Sequence, residues 1–197
     1  MRILGLQKLT LLDYPERLAC TVFTGGCNLL CPFCHNASLV LGVGEEISEA
    51  DFFSFLESRI GRIDGVCISG GEPTLQLTET LIGKIHELSK TVAIETNGTR
   101  PVPRGVDWVT VSPKSIFVGE IGKPVIKTAQ EVKIVLDDLH TYDDPTFGIT
   151  AAHYFVQPCD TSDEARNRDI INRCVNFVKE NPLWRLSLQT QKILRVR

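Results

Sequence analysis

The sequence has no surplus of charge of either sign: 21 Lys and Arg face 24 Asp and Glu, a formal net charge of −3. A general nucleic-acid binder shows a basic excess, so nucleic acid is not expected as a partner. No apolar run approaches the ~18 residues of a membrane span, which removes the membrane as well. The opening stretch, MRILGLQKLTLLDYPERL, is broken by charges and Pro15 and lacks a signal-peptide core. A cytoplasmic location is the expectation. No internal repeat, low-complexity tract or linker divides the 197 residues, which read as one domain over 1–197. With 43% hydrophobic residues, such a chain buries roughly 70% of its unfolded surface and needs no disulfide staple.

What the sequence does have is cysteine, seven in all. In a reducing compartment, clustered cysteines read as metal ligands or catalytic groups rather than disulfides. Three fall in one short segment, Cys27, Cys31 and Cys34; the others (Cys20, Cys67, Cys159, Cys174) stand apart. Cys20, Cys67 and Cys174 lie on apolar faces and are expected in the core. Cys159 follows a rim motif and stays open as a radical relay or electron-path residue.

Around these residues the pattern predicts strands at 18–23, 65–69, 91–94, 108–111, 131–136 and 153–156, with a last one at 184–188. Three helices are expected. Ser48 caps one with Phe52, Leu56 and Ile60 on a face; Leu81, Ile82, Ile85 and Leu88 mark the second. Thr161 and Glu164 form a T-x-x-E capping box for the third, whose face carries Ile170, Cys174 and Phe177. Buried strands joined by helical crossovers imply a parallel sheet covered on its outer face. Right-handed connections curl it one way, giving an α/β fold: a partial, open parallel β/α barrel of about six strands with few helices.

In α/β sheets ligands gather at the carboxyl ends of the strands. Five sequence signals fall there: the cysteines, Gly70-Gly71-Glu72-Pro73, Glu95-Thr96-Asn97-Gly98, Ser112-Pro113-Lys114, and Gln157-Pro158. Glycines admit close backbone approach, and a carboxylate suits a cation. Lys133 alternates inward on its strand but is expected to snorkel. The C-x3-C-x2-C thiolates are soft ligands that favour iron–sulfur clusters, zinc or copper(I). A closed zinc site wants four ligands, and no second C-x2-C pair exists. Three thiolates on a four-iron cube leave one iron open for a substrate.

C-x3-C-x2-C with Phe33 before its last cysteine, followed by Gly70-Gly71-Glu72-Pro73, resembles the signature of the radical S-adenosylmethionine (SAM) superfamily. The resemblance implies that Cys27, Cys31 and Cys34 ligate a 4Fe–4S cluster whose fourth iron is chelated by SAM. It also implies that an electron from the cluster cleaves SAM to a hydrogen-abstracting 5′-deoxyadenosyl radical. Gly70, Gly71, Glu72 and Pro73 would then receive the methionyl ammonium. Phe33, Glu95, Thr96, Asn97, Ser112, Lys114 and Gln157 are the further cofactor-binding candidates. Flavodoxin or ferredoxin is implied as electron donor.

Two families within that superfamily are similar at opposite ends. LQKLTLLDYPERLACTVFTGGCNLLCPFCHN resembles the activating proteins of glycyl radical enzymes, above all of anaerobic ribonucleotide reductase. WVTVSPK, VKIV, VQP and WRLSLQTQK resemble 7-carboxy-7-deazaguanine synthase, which rearranges a pterin ring into a deazapurine precursor. That family's Cys-Asp-Thr is Cys34-His35-Asn36 here, and its Gln-Thr-His-Lys is Gln189-Thr190-Gln191-Lys192. Against the activases, Glu95 replaces an Asp and Ser112-Pro113-Lys114 replaces an Asp-x-Lys. The leading expectation is activation of a glycyl radical enzyme as partner. The alternatives are the deazapurine-type enzyme and a non-catalytic iron–sulfur or zinc module.

Overall fold

The computed structural model describes residues 1–188. Eight strands form one sheet in the order β1-β2-β3-β4-β5-β6-β7-β8: Ile3–Thr10, Ala19–Thr24, Gly65–Gly70, Thr91–Thr96, Trp108–Val111, Thr128–Leu136, Thr150–Pro158 and Trp184–Leu186. β2 to β8 run parallel, and β1 pairs antiparallel to β2. The parallel strands fall where the apolar runs predict them. β1 is the addition: it is an edge strand with an exposed central stretch, so its sequence carries no sustained apolar signal. The end of the synthase-like stretch, Gln189-Thr190-Gln191-Lys192, lies outside the described residues.

Helices cover only some crossovers. α1 (Ala37–Val40) is a single turn after the cysteine loop. α2 (Glu49–Ser58) starts where Ser48 accepts from Asp51 N and buries Phe52 and Leu56. It stops short of Ile60, which lies past the helix and is 59% exposed, not on its apolar face. α3 (Glu79–Glu87) is capped by Thr78 and buries Leu81, Ile82 and Ile85. α4 (Ser115–Val118) is one further turn. α5 (Glu164–Glu180) buries Ile170 and Cys174, but its cap is Asp163, whose carboxylate accepts from Ala165 N and Arg166 N. Thr161 is not the cap; its backbone N and hydroxyl both donate to Asn167 Oδ1.

Two apolar layers hold the outer face. Cys20, Val22, Val66, Ile68, Val92 and Ile94 pack against α2 and α3. Val132, Ile134 and Val156 pack against α5 through Ile170 and Cys174, with Trp184 of β8 in the same cluster. A smaller apolar floor, Tyr14, Ala19, Cys67 and Ala93 with Trp108 against it, closes the bottom of the concave face. Among the described residues, no helix is long and apolar enough to cross a membrane.

Candidate active site

The strand alternation that buries Val132 and Ile134 outward turns Glu131 and Lys133 to the concave side. Strand register aligns Glu95 of β4, Thr110 of β5, Glu131 of β6 and His153 of β7 in one row. Lys133, one step nearer the rim, places its Nζ 2.8 Å from Glu95 Oε1. The expected snorkelling lysine is therefore an ion-paired one, because a carboxylate two strands away meets it before solvent does. Burial alone would raise the Glu95 carboxyl, but the neighbouring Lys133 ammonium reverses this and holds it below its ordinary range. Burial likewise works against the Lys133 charge, and Glu95 and Glu131 overcome it and raise the lysine. Glu131 has no such surplus of cations, and burial lifts its carboxyl to about 7. His153 stacks on Trp108, with rings 5.8 Å apart and 15° from parallel. The indole Nε1 of Trp108 is buried without a hydrogen-bond partner among the described residues.

At the rim, the turns after β2 and β3 lock together through backbone. Gly71 N donates to Thr24 O and Glu72 N to Gly26 O, each at 2.9 Å. A Cβ on Gly71 would stand 1.9 Å from Gly26 O, and Gly70 has a φ of +100°. Both positions demand glycine, for close approach and for a left-handed backbone respectively. Pro73 opens a 3-10 turn, Pro73–Leu75, whose amide and hydroxyl of Thr74 donate to Glu72 Oε1. Thr96 Oγ1 donates to the same oxygen, and Asn97 N donates to Glu72 Oε2. Glu72 is 1% exposed and accepts from four protein donors in this geometry.

The three thiols sit half-buried in the loop after β2, and all are free. Burial pushes the Cys27 and Cys31 thiols up; the Lys114 charge partly offsets this at Cys31. Metal binding must therefore displace protons from both. Among the described residues, no three His, Cys, Asp or Glu side chains stand close enough to hold a single metal ion. The fit of a 4Fe–4S cluster rests on the donor chemistry. Three soft thiols share one loop, and N–H groups of Leu29 and Asn97 face the Cys27 sulfur, at 3.4 and 3.9 Å.

The remaining candidates gather nearby. Lys114 Nζ donates to Ser112 O, while Ser112 Oγ donates to Lys133 O, tying the rim after β5 to β6. Burial brings the Lys114 ammonium down to about 8, with Glu95 and Cys31 opposing that shift. Phe33 packs edge-on against Phe117, 4.4 Å between centroids, at a cavity of about 590 Å³. The far wall of this cavity is the Asp137–His140 pair after β6 and Cys159 after β7. Burial and the acidic neighbours Asp137 and Asp160 raise the Cys159 thiol, which keeps it protonated rather than reactive. Gln157, next to last in β7, is half-buried near the same rim. Sequence patterning missed Glu131, Asn28 and the Asp137–His140 pair. For Glu131 the signal existed, since it alternates with Lys133 on one strand face.

Comparison with known proteins separates the two functional expectations. The family profile described as Radical SAM superfamily matches residues 21–143. A 7-carboxy-7-deazaguanine synthase of Bacteroides thetaiotaomicron is 38% identical over 178 residues, spanning 87% of this chain and 84% of that protein. The enzyme of that name from Neisseria meningitidis serogroup B is 32% identical over 85% of this chain and 80% of its own length. The crystal structure of QueE from Escherichia coli superposes with a TM-score of 0.68 at 21% identity, covering 95% of this chain and 93% of that one, a likeness of fold. The expectation of a glycyl radical activase is overturned by these relatives. The physical reason is that the cysteine loop and the Gly70–Gly71 turn serve steps common to both families.

Proposed function

Because the chain belongs to the radical SAM superfamily and, within it, to the 7-carboxy-7-deazaguanine synthase family, we propose that it converts a carboxylated tetrahydropterin into the corresponding deazapurine. The likeness to the Bacteroides synthase along 84% of its length carries this reading. The family's cofactors are a 4Fe–4S cluster and SAM; together they supply reductive cleavage of a sulfonium and a hydrogen-abstracting radical. Cys27, Cys31 and Cys34 would hold the cluster, each losing its thiol proton. Gly70, Gly71 and Pro73 shape the turn beside it, and the Phe33 cavity is large enough to take an adenosine.

The concave wall supports a polar, hydrogen-bonding guest. Glu95 and Glu131 offer carboxylates to ring N–H groups, and Lys133 and Lys114 offer cations to a carboxylate or oxo group. Glu131, with its carboxyl at about 7, can hold or release a proton near neutrality. The Tyr14, Cys67, Ala93 and Trp108 floor keeps water from the underside. A flavodoxin or ferredoxin remains our proposal for the electron source.

The test is anaerobic turnover of carboxytetrahydropterin by the reconstituted protein with SAM and a reductant. Formation of 7-carboxy-7-deazaguanine is expected. Steady 5′-deoxyadenosine release with no deazapurine would reject this substrate. Replacing Cys27, Cys31 or Cys34 by Ser is expected to reduce iron content and abolish SAM cleavage.

A further inference from the structure

The turn after β4 reaches across to the first cysteine of the loop after β2. Asn97 Nδ2 lies 3.9 Å from Cys27 Sγ and donates to Asn28 Oδ1 at 2.9 Å. Its Oδ1 accepts from Thr99 N at 2.9 Å and Thr99 Oγ1 at 2.7 Å. These contacts fix which way the amide points, because a flip would set oxygen against sulfur and N–H against N–H. Leu29 N is the second donor on the same sulfur, at 3.4 Å. Among the described residues, Cys31 and Cys34 receive no such pair of donors.

Asn97 is held from behind. Its backbone N donates to Glu72 Oε2 at 2.8 Å, and its neighbour Thr96 donates through Oγ1 to Glu72 Oε1 at 2.6 Å. With both Thr74 donors on Oε1 as well, the Glu72 carboxylate accepts from four donors, three on Oε1 and one on Oε2. A buried anion so held acts as a pin on the two turns it joins.

We propose that Asn97 sets the reduction potential of the cluster by donating its side-chain N–H to the Cys27 sulfur, and that Glu72 is the positioning residue that holds Asn97 in place. A hydrogen bond to a ligating sulfur withdraws electron density and favours the reduced cluster, raising its potential. Reduction must precede SAM cleavage, so this contact governs how readily an electron donor charges the site. A role for Asn97 in orienting SAM alone would leave the potential unchanged when SAM is absent.

The experiment uses the full chain reconstituted anaerobically with iron and sulfide, without SAM. Iron per chain and the midpoint potential, from a redox titration followed by electron paramagnetic resonance, are read for the parent protein, Asn97→Ala, Asn97→Asp and Glu72→Gln. Cluster ligation by Cys27, on which the proposal rests, is checked separately by the iron content of Cys27→Ser. Asn97→Ala is expected to keep its iron and to shift tenfold toward the oxidised cluster, about 59 mV for a one-electron couple. Asn97→Asp, which keeps the Thr99 contacts but puts oxygen beside the sulfur, should shift further; Glu72→Gln should shift the same way by less. Midpoints of both Asn97 variants equal to that of the parent would overturn the proposal, even with slower SAM cleavage. Loss of iron from both would overturn it too, by making Asn97 a structural brace of the loop.

Discussion

Lys133 on β6 reaches over β5 to place its ammonium 2.8 Å from Glu95 on β4, so one ion pair spans three strands of the concave wall. Lys133→Met leaves the Glu95 carboxylate without its partner and should raise its pKa. The pair is partly open to solvent, so the stability lost should be modest, about 1 kcal/mol. Turnover should fall far more than stability. Combining Lys133→Met with Glu95→Gln should recover the stability and not the turnover, measured by denaturant unfolding beside product formation.

Glu131 makes stability depend on pH in a calculable direction. Its folded carboxyl titrates near 7, raised by burial, with Lys133 opposing and Glu95 adding to the rise. Between the ordinary carboxylate range and pH 7, the folded chain holds a proton that the unfolded chain has released. Stability therefore drops as pH climbs through that window, and the penalty is fully present above it. Glu131→Gln removes the titration. Its gain in unfolding free energy should be near zero at about pH 4 or below and about 1–3 kcal/mol at pH 8. A pH-independent difference would show that the carboxyl does not titrate there.

Gly71 tests the junction between the two rim turns. A Cβ 1.9 Å from Gly26 O cannot be absorbed by a side-chain rotation, because the obstacle is backbone. Gly71→Ala should cost on the order of 2–4 kcal/mol and lower iron uptake by moving the cysteine loop. Melting temperature and iron per chain check it. Gly83→Ala is the control, since nothing lies within 4 Å of its added Cβ.

Phe52 is fully buried between α2 and the sheet. Phe52→Ala should destabilise by about 3–5 kcal/mol. The rim and wall are carried by other elements, so in the fraction that stays folded the pH profile of turnover should match that of the parent.

The parallel strands are legible because their sequences are short apolar or alternating runs, most of them closed by a turn, and the rim motifs follow from that placement. The edge strand β1 is not, since its sequence mixes exposed and buried positions without a period. At the start of α5 the T-x-x-E pattern points to Thr161, but Asp163 competes for the cap and reaches two N–H groups at once. At the site, the Cys27, Cys31 and Cys34 spacing announced soft-metal chemistry, but the substrate stayed hidden. The concave wall is built on pairings across strands, such as Lys133 with Glu95, that no local pattern contains. Glu72 adds contacts of the same kind, since the fold surrounds it with Thr74, Thr96 and Asn97.

Each strand of the sheet lies beside its neighbours in sequence. The cysteine loop, the Gly70–Gly71 turn and the Asn97 turn are consequently all delivered by β2, β3 and β4, complete by Thr99. Synthesis proceeds at roughly 5–20 residues per second and domains tend to fold from the N-terminal side. The three turns that meet at Cys27 and Glu72 are thus synthesised before β5 begins, so the hydrogen bonds that join them can form without the second half of the sheet.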